Sequence, residues 1–170
     1  MTGRYQAVNG VARVMKAGVH FKLDEKKHST AVTEEGIALA RESFESLGCG
    51  DPMDFANLQG PLISQRQRDR VLGYIAKAQQ EGARLVTGGK VPAHLPKGFY
   101  VEPTSFADVR PESTLAQEEV FGPVLAIIPF ENDDDAVRIA NQSIYGLSGA
   151  VTSADEARAL AVARRVRTGT

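Results

Sequence analysis

"QEEVFGPVLAIIPF", residues 117–130, is the stretch that decides how this chain reads. From Pro123 to Phe130 it is continuously apolar, as expected of a strand covered on both faces and therefore of a sheet with helices packed against it. Ahead of that strand stand two adjacent carboxylates, Glu118 and Glu119, then the ring of Phe121 and a Gly122–Pro123 pair. Gly122 permits close backbone approach, and Pro123 fixes the chain where the strand begins. A rigidly held carboxylate has two acceptor oxygens and can bind both vicinal hydroxyls of a ribose; a ring two places on can lie against a flat or sugar-like group. The same residues also read as two exposed loop acids beside a core phenylalanine, and both readings stand on this segment alone.

Outward from this segment, periodicity places the neighbouring elements. On the C-terminal side, "NDDDAVRIANQS" reads as a helix with an acidic first turn and Ala136, Val137, Ile139 and Ala140 inside. "LSGAVTS" is a strand, and "SADEARALAVARRVR" a helix with a capping box from Ser153 to Glu156 and Ala157, Leu160, Ala161 and Ala163 facing inward. On the N-terminal side, "GFYVEPTSF" is extended, with Pro103 indicating an edge or a bend rather than a central position. "ARLVTGG" is a short strand closed by glycines. "SQRQ" offers a second capping box, Ser64 bonding the amide of Gln67 while Gln67 reaches back, at the head of a helix whose stripe is Val71, Leu72, Ile75 and Ala78. Further upstream, Thr33 caps a helix with Glu34 and Glu35 in its first turn and Ile37, Ala40, Phe44 and Leu47 on one face, stopped by "GCGDPMD". Residues 1 to about 30 have no clean period and are read as irregular, with a short strand near Val19–Leu23. The alternation predicts one α/β domain with a largely parallel sheet and flanking helices.

The bulk numbers exclude several classes of function. Twenty basic and twenty-one acidic residues in 170 leave a net charge of −1, giving no electrostatic pull toward nucleic acid or an anionic membrane. Arg66, Arg68 and Arg70 are interrupted by Gln67 and Asp69 and read as a solvated helix face. One cysteine, Cys49, forbids an internal disulfide, and no stretch approaches the ~18 apolar residues of a membrane helix or resembles a signal peptide, so a cytoplasmic protein is expected. His20, His28 and His94 lack partners at ligand spacing, so no metal site is expected. No dinucleotide-binding glycine fingerprint, P-loop or nucleophile elbow is present. Cys49 follows a helix, whose negative end raises a thiol's pKa, and reads as an unreactive loop cysteine.

Taken together, "GDPMD" (50–54), "GPLIS" (60–64), "RVLGYIAKAQQEGARLVTGG" (70–89), "GFYVEPTSF" (98–106), "QEEVFGPVLAIIPF" and "AVRIANQSIYGLSGAV" (136–151) resemble the NAD(P)-dependent aldehyde dehydrogenase superfamily in order and approximate spacing. The resemblance covers about residues 33–170 and implies most of that family's catalytic domain, with residues 1–32 a divergent N-terminal segment. It implies that Glu119 bonds the nicotinamide ribose of NAD or NADP, that Phe121 packs beside it, and that Gln67 and Arg70 face the cofactor. Relatives use a cysteine thiolate that attacks an aldehyde and a glutamate that activates water, the cysteine lying about thirty residues before the "GDP" turn. That position falls near Val19–Phe21, where "AGVHFK" has no cysteine. The general base, the oxyanion amide and the dinucleotide domain are expected upstream of Met1, and the closing strand and oligomerisation tail beyond Thr170. Two readings follow. One is an aldehyde dehydrogenase fragment without catalytic residues, inactive alone and without appreciable affinity for NAD. The other is an interaction module that pairs through an open sheet edge with a second copy or a complementing chain.

Overall fold

The computed structural model describes residues 11–15, 18–23 and 30–169, with side chains from residue 34 onward. Among these, strands β1 (Val11–Met15), β2 (Gly18–Leu23), β3 (Arg84–Thr87), β4 (Thr104–Ala107), β5 (Val124–Pro129) and β6 (Gly149–Ser153) form one sheet in the order β3-β4-β5-β1-β2-β6. Helices α1 (Thr30–Glu45), α2 (Gln65–Gln80), α3 (Thr114–Gln117), α4 (Asp133–Gln142) and α5 (Glu156–Ala163) complete the α/β arrangement.

The apolar run organises both faces of the sheet. On β5, Ala126 and Ile128 join a core with Val71 and Ile75 of α2, Phe106 of β4, Ile139 of α4 and Val162 of α5. Leu125 and Ile127 point the other way, into a second cluster with Ile37 and Phe44 of α1 and Val86 of β3. A strand with both faces buried has no place for polar residues, hence the unbroken run. Each Leu or Ile so buried stabilises the fold by about 1.5–3 kcal/mol. Ile37, Ala40, Phe44 and Leu47 do form one face, with Ala40 and Leu47 packed at its margin. Ala136, Val137, Ile139 and Ala140 are buried on α4.

The sheet is mixed rather than largely parallel. The pairs β4–β5 and β2–β6 are parallel, whereas β3–β4, β5–β1 and β1–β2 are antiparallel. Two residues separate β1 from β2, a connection that permits only an antiparallel hairpin. That hairpin lies between β5 and β6, so the two segments nearest each other in the readable sequence are not sheet neighbours. The expected strand near Val19–Leu23 falls within β2; β1 went unpredicted because its mixed sequence carries no alternation.

Four local expectations need correction. Helix α1 begins at Thr30, so Thr33 lies within it rather than at its cap and Glu34 and Glu35 are past the first turn. Pro103 does not mark an edge: β4 starts at the next residue and lies between β3 and β5, where a proline lacking its N–H is tolerated just ahead of the pairing. At α5 the cap is Asp155, whose side chain accepts from the Arg158 amide, and Ser153 instead accepts from the Asp155 amide. The buried contact of α5 is accordingly Val162, 1% exposed, while Leu160 is 49% exposed and Ala157, Ala161 and Ala163 face solvent. At α2, Ser64 accepts from the Gln67 amide as expected, but the Gln67 side chain does not return to the cap. No helix among the described residues is long and apolar enough to cross a membrane.

Candidate functional site

Where Gln67 goes instead builds the site. Residues 118–122 form the loop between the short helix α3 and strand β5, and α2 runs alongside it. The Gln67 side-chain amide donates to the carbonyls of Val120 (3.2 Å) and Phe121 (2.8 Å). The Arg70 guanidinium donates to the carbonyls of Val120 (3.2 Å) and Glu119 (2.9 Å). Gly122 lies so close to α2 that a Cβ there would meet the Val71 side chain at 2.5 Å. A loop outside regular structure must have its carbonyls satisfied by something, and here two long polar side chains on one helix do so.

The loop is held in an uncommon backbone conformation. Phe121 has φ of 58°, in the left-handed region that an L-residue enters at a cost of about 1 kcal/mol. Its ring is 59% exposed, so the reading of Phe121 as core is set aside. Strain of this kind persists where surrounding contacts over-determine it, and such places are enriched in functional sites.

The two acids differ in their surroundings. The Tyr74 hydroxyl donates to the Glu118 carboxylate at 2.7 Å and accepts from Arg70 at 3.1 Å, while the Arg70 guanidinium carbon lies 5.0 Å from the Tyr74 ring centroid. The hydrogen bond to Glu118, with some desolvation, pushes the Tyr74 phenol above its ordinary pKa. Glu119 is half-buried, and its carboxylate bonds no other described residue. Tyr74 had not been singled out from sequence. The signal was its position four residues after Arg70, on the same helical face. Arg66 and Arg70 are exposed, as expected of a solvated face, and Arg68 is partly buried and pairs with Asp69 at 3.1 Å; Arg70 additionally spends its donors on the loop.

Cys49 sits in a separate place. It forms a bridge with Gln59, whose amide donates to the Cys49 sulfur at 3.5 Å and to the Val101 carbonyl. Burial, and then the nearby Glu102 carboxylate, push the thiol above its ordinary pKa. The direction is the expected one, with a cause other than the helix end. His94 approaches the Cys49 carbonyl at 3.4 Å. The side chains of His20 and His28 lie outside the described residues, among which no cluster of His, Cys, Asp and Glu could hold a metal.

The aldehyde dehydrogenase family model matches residues 29–170. The chain belongs to the aldehyde dehydrogenase family. A betaine aldehyde dehydrogenase of Rhizobium etli is 47% identical over 140 residues, which is 82% of this chain and 29% of that relative. An aldehyde dehydrogenase of Mycobacterium tuberculosis, solved in complex with NAD+, superposes with a TM-score of 0.80 at 46% identity, covering 88% of this chain and 30% of that one. A betaine aldehyde dehydrogenase of Staphylococcus aureus, also solved with NAD+, gives a TM-score of 0.80 at 32% identity over 89% of this chain and 29% of its own. The chain thus spans under a third of the length of these aldehyde dehydrogenases. The aldehyde dehydrogenase match and the α2-held loop occupy the same part of the sequence.

Proposed function

We propose that residues 33–170 supply the nicotinamide-ribose face of an NAD(P)-dependent aldehyde dehydrogenase, with the aldehyde as its small-molecule substrate in a cytoplasmic setting. In this reading the Glu119 carboxylate accepts from both ribose hydroxyls, one to each oxygen, and the Phe121 ring lies beside the nicotinamide. Gln67 and Arg70 border the same face and serve the cofactor chiefly by holding the loop, since their N–H groups are engaged with its carbonyls. The observation that carries the proposal is the contrast at the two adjacent acids: Glu118 is tied to Tyr74, while among the described residues the Glu119 carboxylate has no partner, on a loop held along one helix.

Aldehyde oxidation in this family's manner also needs a thiolate that bonds the aldehyde carbon. Cys49 does not suit that role. Burial and then Glu102 push its thiol pKa up, away from the thiolate that attacks a carbonyl, and its sulfur accepts from Gln59. The 170-residue chain on its own is therefore expected to give no aldehyde-dependent NAD reduction.

Nicotinamide riboside, which carries the relevant diol and ring without the adenosine half, is the probe that tests this. In a titration of the 15N-labelled chain at millimolar concentrations, amide shifts are expected at Glu119–Gly122 and are lost in Glu119→Gln. Absence of those shifts, or their survival in Glu119→Gln, would falsify the assignment. A second reading rests on the terminal position of β6 in the sheet. A strand at the end of a sheet can pair with a further chain, so this fold would then act as an interaction module. Elution as a monomer in gel filtration at high concentration removes its support.

A further inference from the structure

The contacts between α2 and residues 118–122 have a register. Gln67, Arg70, Val71 and Tyr74 follow one another at helical spacing and form a single stripe. Against that stripe the loop runs in the opposite direction: Phe121 meets Gln67, Val120 meets both Gln67 and Arg70, Glu119 meets Arg70, and Glu118 meets Tyr74. Every rung but the last uses a backbone carbonyl of the loop as acceptor. The last rung uses a side chain, and it ties the free end of the ladder.

We infer that Tyr74 and Glu118 are positioning residues for the cofactor face, fixing Glu119 and Phe121 through Arg70 without touching the ligand themselves. The inference rests on the assignment of Glu119 and Phe121 to the nicotinamide ribose. Its physical basis is the placement of one hydroxyl between two charged groups. The Tyr74 oxygen accepts from one Arg70 nitrogen, and its proton goes to the Glu118 carboxylate. Arg70 is long and flexible, and with that acceptor and the ring beneath it in place its other N–H groups are aimed at the loop carbonyls. Without the hydroxyl the guanidinium loses one of its fixed points. Glu118 is released beside Glu119, adding a second mobile negative charge where only one carboxylate is needed.

The adjacent acids of the "QEEVFG" segment thereby divide the work. One orients and the other binds. A tied Glu118 also prevents the two carboxylates from exchanging roles, since the hydroxyl that holds it comes from a helix and donates to that carboxylate.

The test uses the full 170-residue chain and two readouts. The first is 15N relaxation at Glu119–Gly122 without ligand. Backbone order parameters near 0.85 mark a rigid loop and values below about 0.6 a mobile one. Tyr74→Phe keeps the ring and its packing but removes the hydroxyl, and Glu118→Ala removes the acceptor at an exposed position. Both are expected to lower the order parameters of Glu119–Phe121 by similar amounts, and the double variant to lower them no further. Glu118→Gln, whose amide oxygen still accepts from Tyr74, is expected to restore wild-type order. A purely structural role for the ring would leave Tyr74→Phe like the wild type.

The second readout is nicotinamide riboside affinity, expected to fall about three- to tenfold in Tyr74→Phe and Glu118→Ala, as suits an exposed charge-assisted hydrogen bond. Thermal midpoints serve as the control for global unfolding. Unchanged order parameters in both variants overturn the inference, whatever the riboside does. If the wild type binds no riboside, the functional assignment falls alone, and the relaxation data still decide whether this rung positions the loop.

Discussion

Two loops in this molecule are built from the same parts to opposite ends. Around Cys49, the Gln59 amide reaches across to the Val101 carbonyl, and Gly48 lies too close to the Ala56 carbonyl to carry a side chain. Around Glu119, the Gln67 amide reaches across to the Val120 and Phe121 carbonyls, and Gly122 lies against Val71. Each loop presents one chemically capable group. In the first, the hydrogen-bonding turns inward onto that group: Gln59 also donates to the sulfur, and burial, then Glu102, raises the thiol's pKa. In the second, donors end on backbone carbonyls and on the neighbouring acid, so the Glu119 carboxylate is left open. Rigidity is common to both, and what separates a candidate site from a structural turn is which atoms the fixing bonds consume.

The largest expected effects come from the glycines. In Gly122→Ala the new methyl meets the Val71 side chain, itself 0% exposed and unable to swing into solvent. Overpacking of this kind costs about 1–3 kcal/mol, which at this chain length lowers the thermal midpoint by about 2–4 °C per kcal/mol. Gly48→Ala meets the Ala56 carbonyl at 2.5 Å and should cost at least as much, because backbone yields less readily than a side chain. The two variants separate when Val71→Ala is added: it makes room beside residue 122 and does nothing for residue 48. If Val71→Ala recovers no stability in the Gly122→Ala background, the close packing of loop on helix is not what fixes the site.

The two glutamines are predicted to come next. Gln67→Ala removes two donors from loop carbonyls, and Gln59→Ala removes one from a carbonyl of the fully buried Val101. A loss of about 1 kcal/mol is expected in each case, more for Gln59→Ala to the extent that its carbonyl stays dry. The sharper distinction is chemical. Gln59→Ala should speed Cys49 alkylation without altering riboside shifts, and Gln67→Ala should weaken riboside binding without altering alkylation. Effects of either substitution on both readouts would mean that the loops are coupled rather than separate.

Much of this was legible from sequence, and the parts that were not have physical reasons. The buried strand, the stripe of α2 and the interior of α4 were readable because burial on a regular element imposes a period or an unbroken apolar run. The face of α5 was misread because alanine fits either side of a helix, so the cap at Asp155 set the register rather than composition. The hairpin β1–β2 was missed in part because its residues show no alternation. At the site, residue types and order left two readings open, and it was the family resemblance that pointed to Glu119 and Phe121. The division between Glu118 and Glu119 could not be read, since it depends on Tyr74, separated from Glu118 by 44 positions. Gln67 looked like half of a capping box because a local partner was available; a pair of distant carbonyls held its amide instead.

The smallest predicted effect concerns the charge beside the closed loop. Two causes raise the Cys49 pKa, burial first and Glu102 second, and Glu102→Gln removes only the second. A raised pKa in the folded state means that the stability tied to the protonated thiol is fully present at neutral pH and is lost as pH rises through the folded value. The alkylation rate of the wild type should therefore climb with pH along a curve displaced upward from that of a free cysteine. Glu102→Gln should move that curve part of the way back, by less than an order of magnitude in rate at a given pH. Unfolding the chain in denaturant should move it the whole way, because it removes burial as well. If Glu102→Gln alone carries the curve to the free-cysteine position, the loop is closed by charge rather than by packing, and its likeness to the Glu119 loop ends at the glutamine.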